Sequence, residues 1–105
     1  MDALFVINAI FPTGSIVATR GVYDLACENP EFAKFIQKSL NRHVKGDWGD
    51  LDDEDKRANA QALKEGARLL STYNDDRFPR HGVATIWIIT EADHSVTTVL
   101  FPDEY

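Results

Sequence analysis

The strongest constraint on the fold is a pair of β-branched, apolar runs near the end of the chain. Residues 83–90 read VATIWIIT, residues 95–101 read SVTTVLF, and only EADH separates them. Such runs are typical of strands, and so short a connection predicts an antiparallel hairpin. A third strand-like run, residues 67–73, lies upstream. The pattern therefore predicts a three-stranded meander.

A long amphipathic helix comes before this meander. Asn29, Pro30 and Glu31 are a typical start signal, with a capping side chain, a proline at the first helical position and an acid in the first turn. Apolar residues then recur at helical spacing until Gly46, a typical helix stop. These apolar residues are Phe32, Phe35, Ile36, Leu40 and Val44.

The front of the chain is predicted to add two strands and a short helix. Residues 4–11 are nearly all apolar, and residues 15–19 follow after a turn signal, so the two runs could form a hairpin. Thr19 is placed to cap a short helix that ends at Cys27. The predicted fold is α+β, with two or three helices packed on one face of a mainly antiparallel, five-stranded sheet.

Length and composition are those of one globular domain spanning residues 1–105. The single cysteine, Cys27, excludes an internal disulfide and a cysteine-rich zinc site, and it is interpreted as an inert core residue. Asp2 and the short apolar run after it fit neither a signal peptide nor a membrane span, which predicts a cytoplasmic protein. No glycine-rich phosphate loop is present, and we expect neither a cofactor nor a metal.

One short segment carries the whole net charge. The chain has 17 acids and 11 bases, and residues 46–55, GDWGDLDDED, hold enough of the acids that the rest of the chain is balanced. Capping of a helix that runs from Asp52 to about Gly66 explains the last four acids. The excess of acid disfavours direct binding to nucleic acid, which relies on Lys and Arg.

Capping leaves the turn around Trp48 unexplained. Trp48 stands between two glycines and two aspartates, Asp47 and Asp50. It either fills the core beneath the turn or is an exposed anchor for a partner, because tryptophan is common at interaction hot spots. A calcium loop is disfavoured, because Trp48 and Leu51 interrupt the oxygen ligands and no glutamate closes the loop.

The histidines and serines form no recognisable catalytic pattern. His43, His81 and His94 lack the spacing of a zinc helix, and each is predicted to be a surface or capping residue. Ser71 and Ser95 could each be combined with a histidine, but neither has the glycine-flanked elbow of a serine hydrolase.

A cationic cluster gives an alternative, catalytic interpretation. Arg68 and Tyr73 lie in the first meander strand, and Arg80 and His81 lie in the connection that follows it. General acid–base chemistry on RNA would use groups of this kind.

Several blocks of the sequence resemble a family of small bacterial proteins that are described as plasmid-related and occur on plasmids and other mobile elements. The likeness extends from about Ile16 to Tyr105, and the resemblance implies a mobile-element context without assigning any catalytic residue. The blocks are HVKGDWGDL (residues 43–51), Asp55, Asn59, RLLSTY (residues 68–73), IWIITEAD (residues 86–93) and TTVLFPDEY (residues 97–105).

A second likeness is topological. Helices followed by a three-stranded meander are similar to the arrangement of the RelE/ParE toxins, which implies a toxin ribonuclease using Arg68, Tyr73, Arg80 and His81. Toxins of this group that cut ribosome-bound RNA are usually basic, whereas this chain is acidic, with a pI near 4.9.

The leading hypothesis is therefore a non-enzymatic accessory or regulatory protein that contacts another protein. Asp47, Trp48, Asp50, Asp53 and Asp55 would form the contact surface. They would present nucleic-acid-like charge to a basic nucleic-acid-binding partner such as a host defence protein, without membrane or direct nucleic-acid contact. Homodimerisation through an exposed strand edge is a further alternative.

Overall fold

A computed structural model describes residues 8–78 and 85–105 of the chain. Within these residues helices pack against a sheet, which confirms the α+β class. The elements in chain order are β1 (Ser15–Ala18), α1 (Arg20–Glu28), α2 (Pro30–Val44), α3 (Asp53–Glu65), β2 (Leu69–Asn74), β3 (Thr85–Thr90), β4 (Val96–Leu100) and a C-terminal 3-10 turn (Pro102–Glu104).

The described strands form one mixed sheet in the order β1-β4-β3-β2. β3 pairs antiparallel with β2 and with β4, whereas β1 pairs parallel with β4. The expectation of a mainly antiparallel sheet is met by the last three strands, but the long connection formed by residues 75–84 makes their meander a loose one. The helices α1, α2 and α3 connect β1 to β2, and such a crossover lets the two strands run in the same direction. β4 also runs in that direction, because β3 pairs antiparallel with both β2 and β4.

The sheet of the described residues has four strands, not five. Half of the strand predicted for residues 4–11 lies outside the described residues, and its described half, residues 8–11, contains no strand. β1 pairs with β4. Residues 8–11 do not form the predicted hairpin with residues 15–19, and residues 4–7 of that prediction lie outside the described residues.

The core lies between one face of the sheet and the helices α1 and α2. Strand residues that alternate along β2, β3 and β4 face these helices, as the period of two requires. The main members of this core are Val22, Ala26, Phe32, Ile36, Leu40, Tyr73, Ile86, Ile88, Val99 and Phe101. None of the helices in the described part of the chain is long and apolar enough to cross a bilayer.

Two of the predicted helix caps are confirmed by their hydrogen bonds. The Asn29 side chain accepts the N–H groups of Glu31 (3.1 Å) and Phe32 (3.2 Å) at the start of α2. Asp52 accepts the N–H of Asp55 (2.8 Å) at the start of α3. These bonds satisfy donors that the first turn of a helix leaves without partners.

The short helix α1 is confirmed, but two details of its prediction are wrong. Thr19 occupies the cap position, yet its hydroxyl donates to the Glu104 carboxylate (2.6 Å) instead of capping the helix. Cys27 is exposed, because α1 buries the face that carries Val22 and Ala26, and the residue after Ala26 is turned about 100° away from it.

Candidate functional site

The acidic segment begins where α2 ends. Gly46 takes a left-handed conformation (φ +83°), and its N–H donates to the His43 carbonyl (3.1 Å). The Asp47 N–H donates to the Arg42 carbonyl (2.9 Å). A left-handed residue at this position is a common way to satisfy the last carbonyls of a helix. The helix is thus closed before the chain turns toward β2.

The turn then pairs with the outer edge of β2. Gly49 forms a parallel bridge with Thr72. The Asp50 N–H donates to the Thr72 carbonyl (2.7 Å), and the Thr72 N–H donates to the Trp48 carbonyl (3.3 Å). The Asp50 carboxylate accepts the N–H of Asn74 (2.8 Å). The turn therefore satisfies an edge strand that would otherwise present open N–H and C=O groups.

Gly49 permits this close approach. Its φ is +76°, and a Cβ atom there would lie 2.0 Å from the Thr72 carbonyl oxygen and 2.8 Å from the Tyr73 ring. No side chain fits at that distance, and L-residues rarely adopt this conformation. The glycine in the middle of the acidic turn is thus required by the sheet edge.

Asp47 is held inside the turn by both its side chain and its backbone. Its carboxylate accepts two bonds from the Arg42 guanidinium (2.8 and 3.1 Å) and one from the Gly49 N–H (3.1 Å). Its carbonyl accepts the Tyr73 hydroxyl (2.7 Å). The hydrogen bond from Arg42 holds the pKa of Asp47 below its ordinary value. Asp47 is thus a structural acid on a half-exposed surface.

Trp48 fills the core beneath the turn, which confirms that interpretation over the exposed anchor. Its side chain is only 6% exposed. The indole stacks against Phe11 (ring centroids 6.3 Å apart) and meets His43 edge-on (5.7 Å). Leu69 completes this second, smaller core, on which α3 packs.

His43 is fully buried, so its prediction as a surface or capping residue is wrong. It lies three residues after Leu40 and seven after Ile36, on the apolar stripe of α2. The helical spacing alone could have placed it in the core. Phe11 and Trp48 enclose the imidazole on two sides.

A continuous hydrogen-bond chain passes through this imidazole. Ser71 Oγ bonds His43 Nδ1, and His43 Nε2 bonds Thr90 Oγ1 (3.0 Å). Thr90 bonds Thr97 (2.8 Å), and the Thr97 hydroxyl donates to the Thr13 carbonyl (2.8 Å). Thr97 is fully buried within this hydrogen-bond network.

The Thr13 carbonyl, at which this series of hydrogen bonds ends, determines which group donates in each of the bonds. Because the Thr97 hydroxyl donates to a carbonyl, it must accept from Thr90, and Thr90 must then accept from His43 Nε2. His43 therefore carries its proton on Nε2, and Ser71 donates to Nδ1. Among the described residues, every buried side-chain polar atom has a partner.

This Ser–His contact differs from a catalytic pair. Both side chains are buried, and neither imidazole nitrogen of His43 bonds a carboxylate, which in a catalytic triad orients the base. Burial lowers the pKa of His43 to about 4. The neutral imidazole satisfies both of its hydrogen bonds, whereas an imidazolium would have two donors and no acceptor for the Ser71 hydroxyl.

The remaining acids lie on the exposed first turn of α3. Asp53, Glu54 and Asp55 are exposed, and none of them takes part in an ion pair with another described residue. They follow the Asp52 cap, where the helix dipole favours negative charge. The segment thus divides into acids that hold the turn and acids that face solvent.

Asn59 attaches α3 to the same edge of the sheet. It is the buried residue of α3, and its side-chain amide donates to the Leu70 carbonyl and accepts the Leu70 N–H (3.2 Å). A carboxamide has the donor and acceptor of a peptide group, so Asn59 takes the place of a strand partner. No pattern of apolar residues predicts this contact.

The proposed ribonuclease residues do not come together where the structure describes them. The Arg68 guanidinium pairs with Glu91 (3.4 Å) and lies over the Tyr105 ring (5.1 Å). Tyr73 points into the core on the opposite face of the sheet. Arg80 and His81 lie outside the described residues.

The outer face of α2 carries positively charged residues, in contrast to the acidic segment that follows it. A groove of about 460 Å³ is lined by Lys34, Gln37, Lys38, Asn41, Arg42, Lys45 and Asp47. Two of its cations already have partners, since Lys34 pairs with Glu31 and Arg42 with Asp47. The net positive charge of this groove is therefore small.

Within residues 8–78 and 85–105, no three side chains of His, Cys, Asp or Glu come together as a metal site. Comparison of the chain with protein-family models, with curated proteins and with solved structures finds no match.

Proposed function

We propose that this protein is a non-enzymatic accessory protein that contacts a basic protein through the first turn of α3. The observation that carries the proposal is a difference between the acids that bond groups of the same chain and the acids that do not. Asp47 and Asp50 bond groups of the same chain, whereas Asp53, Glu54 and Asp55 are exposed and have no charged partner among the described residues.

The hydrogen bonds that fix the first turn of α3 in place support a role in recognition. Asp52 caps α3 (2.8 Å), Asn59 fastens the helix to β2, and the preceding turn is bonded to Thr72. Three carboxylates held on a fixed helix end lose little freedom on binding, which favours association. Their negative field also speeds encounter with a positively charged partner.

The partner class follows from this charge and from the family resemblance. Closely spaced carboxylates imitate consecutive phosphates, so a protein that binds nucleic acid through Lys and Arg fits them. The mobile-element context implied by the resemblance makes a host nucleic-acid-binding or defence protein the partner to seek. Asp47, Trp48 and Asp50 then act by shaping the turn, with Asp53 and Asp55 making contact.

The proposal is tested by neutralising the exposed turn with Asp53→Asn, Glu54→Gln and Asp55→Asn together. The probe is the fraction of a bacterial lysate that heparin retains, which is enriched in cationic nucleic-acid-binding proteins. We expect the wild-type protein to capture a discrete basic protein at low salt, and to lose it as salt rises. The triple variant should capture at least about tenfold less.

The matched control removes the same charge elsewhere, with Asp24→Asn, Glu28→Gln and Asp76→Asn, all of them exposed. This control should capture as much as the wild-type protein. An equal loss of capture in both triple variants would show that net charge alone is responsible. Capture that survives neutralisation of α3 would refute the proposal.

A further inference from the structure

The second edge of the sheet, on β1, has backbone groups without a hydrogen-bond partner in the described part of the chain. The Ser15 N–H donates to the Ser95 carbonyl (3.1 Å), and the Thr19 N–H donates to the Val99 carbonyl (3.0 Å). Because N–H and C=O directions alternate along a strand, Val17 also faces β4. Ile16 and Ala18 therefore direct their N–H and C=O groups away from the sheet, where no described residue pairs with them.

The side chains of this edge do not protect it. β1 reads Ser-Ile-Val-Ala, without a charge or a proline, although Lys and Pro are the residues that usually guard an exposed edge. Val17, at its centre, is 42% exposed. The edge is short but otherwise suited to strand addition.

The charge of the molecule lies at the opposite edge. The acidic turn borders β2, and the order β1-β4-β3-β2 places β1 three strand spacings away, about 14 Å. The chain outside residues 46–55 has equal numbers of acids and bases. Two copies that meet at β1 therefore keep their acidic segments on the far sides of the pair.

We propose that a second copy of this chain pairs antiparallel with β1, about a two-fold axis at Val17. Such an axis joins Ile16 of each copy to Ala18 of the other, so that both open residues gain hydrogen-bonded partners. The two Val17 side chains then face each other as a non-hydrogen-bonded pair, where side chains are closest. The contact is isologous, so it closes as a dimer and continues both sheets into one.

The neighbouring registers are excluded by the ends of the strand. An axis at Ile16 would require Gly14 as a partner of Ala18, but Gly14 is left-handed (φ +63°) and packs against Ser95. An axis at Ala18 would require Arg20, which is already the first residue of α1. Only the axis at Val17 pairs residues that are extended in both copies.

The proposal is tested by sedimentation of the wild-type protein and Val17→Lys over a range of concentration. The wild-type protein should shift from 11.8 kDa toward twice that mass by about 1 mM. Val17→Lys places two ammonium groups face to face, so we expect its dimerisation constant to fall about tenfold or more. A wild-type protein that remains monomeric at about 1 mM overturns the proposal.

Ile10→Lys is the matched control, because Ile10 is an exposed apolar residue (56%) outside β1. It makes the same change of charge and should dimerise like the wild-type protein. If both variants weaken the dimer equally, the contact is not at β1.

Hydrogen exchange locates the contact without any substitution. The amides of Ile16 and Ala18 should exchange fast in dilute protein and become protected where the dimer forms. The amides of Ser15 and Val17, which face β4, should be protected at both concentrations. A dimer that leaves Ile16 and Ala18 unprotected would place the contact elsewhere.

Discussion

The two edges of this sheet differ in whether their outward backbone groups have hydrogen-bond partners among the described residues. At β2, the acidic turn bonds Thr72 and Asn74, and Asn59 bonds both backbone groups of Leu70. At β1, the outward groups of Ile16 and Ala18 have no partner among the described residues. Covering an edge prevents unwanted strand addition, and leaving one open invites it.

This difference shows that much of the acidic segment has a structural role at the β2 edge. Its most conspicuous residues, Asp47, Trp48 and Asp50, belong to the cover of β2 and to the core beneath it. The exposed acids without a charged partner among the described residues lie on the first turn of α3. The edge on β1, which no sequence motif marks, is the one whose outward backbone groups lack partners among residues 8–78 and 85–105.

The largest expected effect comes from removing the close approach at the covered edge. Gly49→Ala places a Cβ atom 2.0 Å from the Thr72 carbonyl oxygen, so the turn must leave the strand and lose its bonds. We expect the free energy of unfolding to fall by about 4 kcal/mol in urea titrations. Gly66→Ala has a similar φ (+71°) and nothing within 4 Å, and should lose only about 1 kcal/mol. Equal losses would mean that strain, not the edge, explains the glycine.

The second effect concerns the buried imidazole beneath the covered edge. His43 has a pKa of about 4 in the folded protein and about 6.5 when unfolded. Its stabilising contribution is therefore complete above pH 6.5 and is lost as the pH falls toward 4, by up to about 3 kcal/mol. Urea titrations between pH 7 and pH 5, above the ordinary carboxylate pKa values of about 4, measure most of this loss.

His43→Gln is the control for that dependence. Glutamine keeps a donor and an acceptor but does not titrate, so the variant should be less stable at neutral pH and nearly independent of pH in this window. A variant with the wild-type slope would assign the acid sensitivity to other groups.

The smallest of the three effects compares the two edges directly. Asn59→Ala removes both bonds to Leu70 and should cost about 2 kcal/mol in the free energy of unfolding. The Leu70 amide should then exchange almost as fast as that of Ile16 in dilute protein. Gln61→Ala, which removes only an exposed bond on the same helix, should cost less than about 0.5 kcal/mol. If the Leu70 amide stays protected in Asn59→Ala, Asn59 does not cover the edge.

Local signals in the sequence predicted local structure well. The caps at Asn29 and Asp52, the stop at Gly46 and the run around Ile88 each depend on contacts within a few residues. The positions of Asp47 and Trp48 in the turn were also predicted, because glycine and aspartate punctuate helices.

Predictions that depended on which face of an element is buried were less successful. Cys27 and His43 exchanged their expected environments, because each prediction relied on residue type instead of position on the helix. His43 could have been placed by its spacing from Leu40. The pairing of β1 could not have been predicted, because a strand has no local mark of its neighbour in the sheet.

The sequence by itself determined the class of the fold, the start and end of its long helices and the net charge, because each follows from composition or from spacing within one or two turns. Only the tertiary structure decided which acids are used internally and which edge is covered. Both depend on distances between residues far apart in the chain, such as Asp50 from Asn74 and Asn59 from Leu70. These contacts exist only after the sheet has brought its partners together.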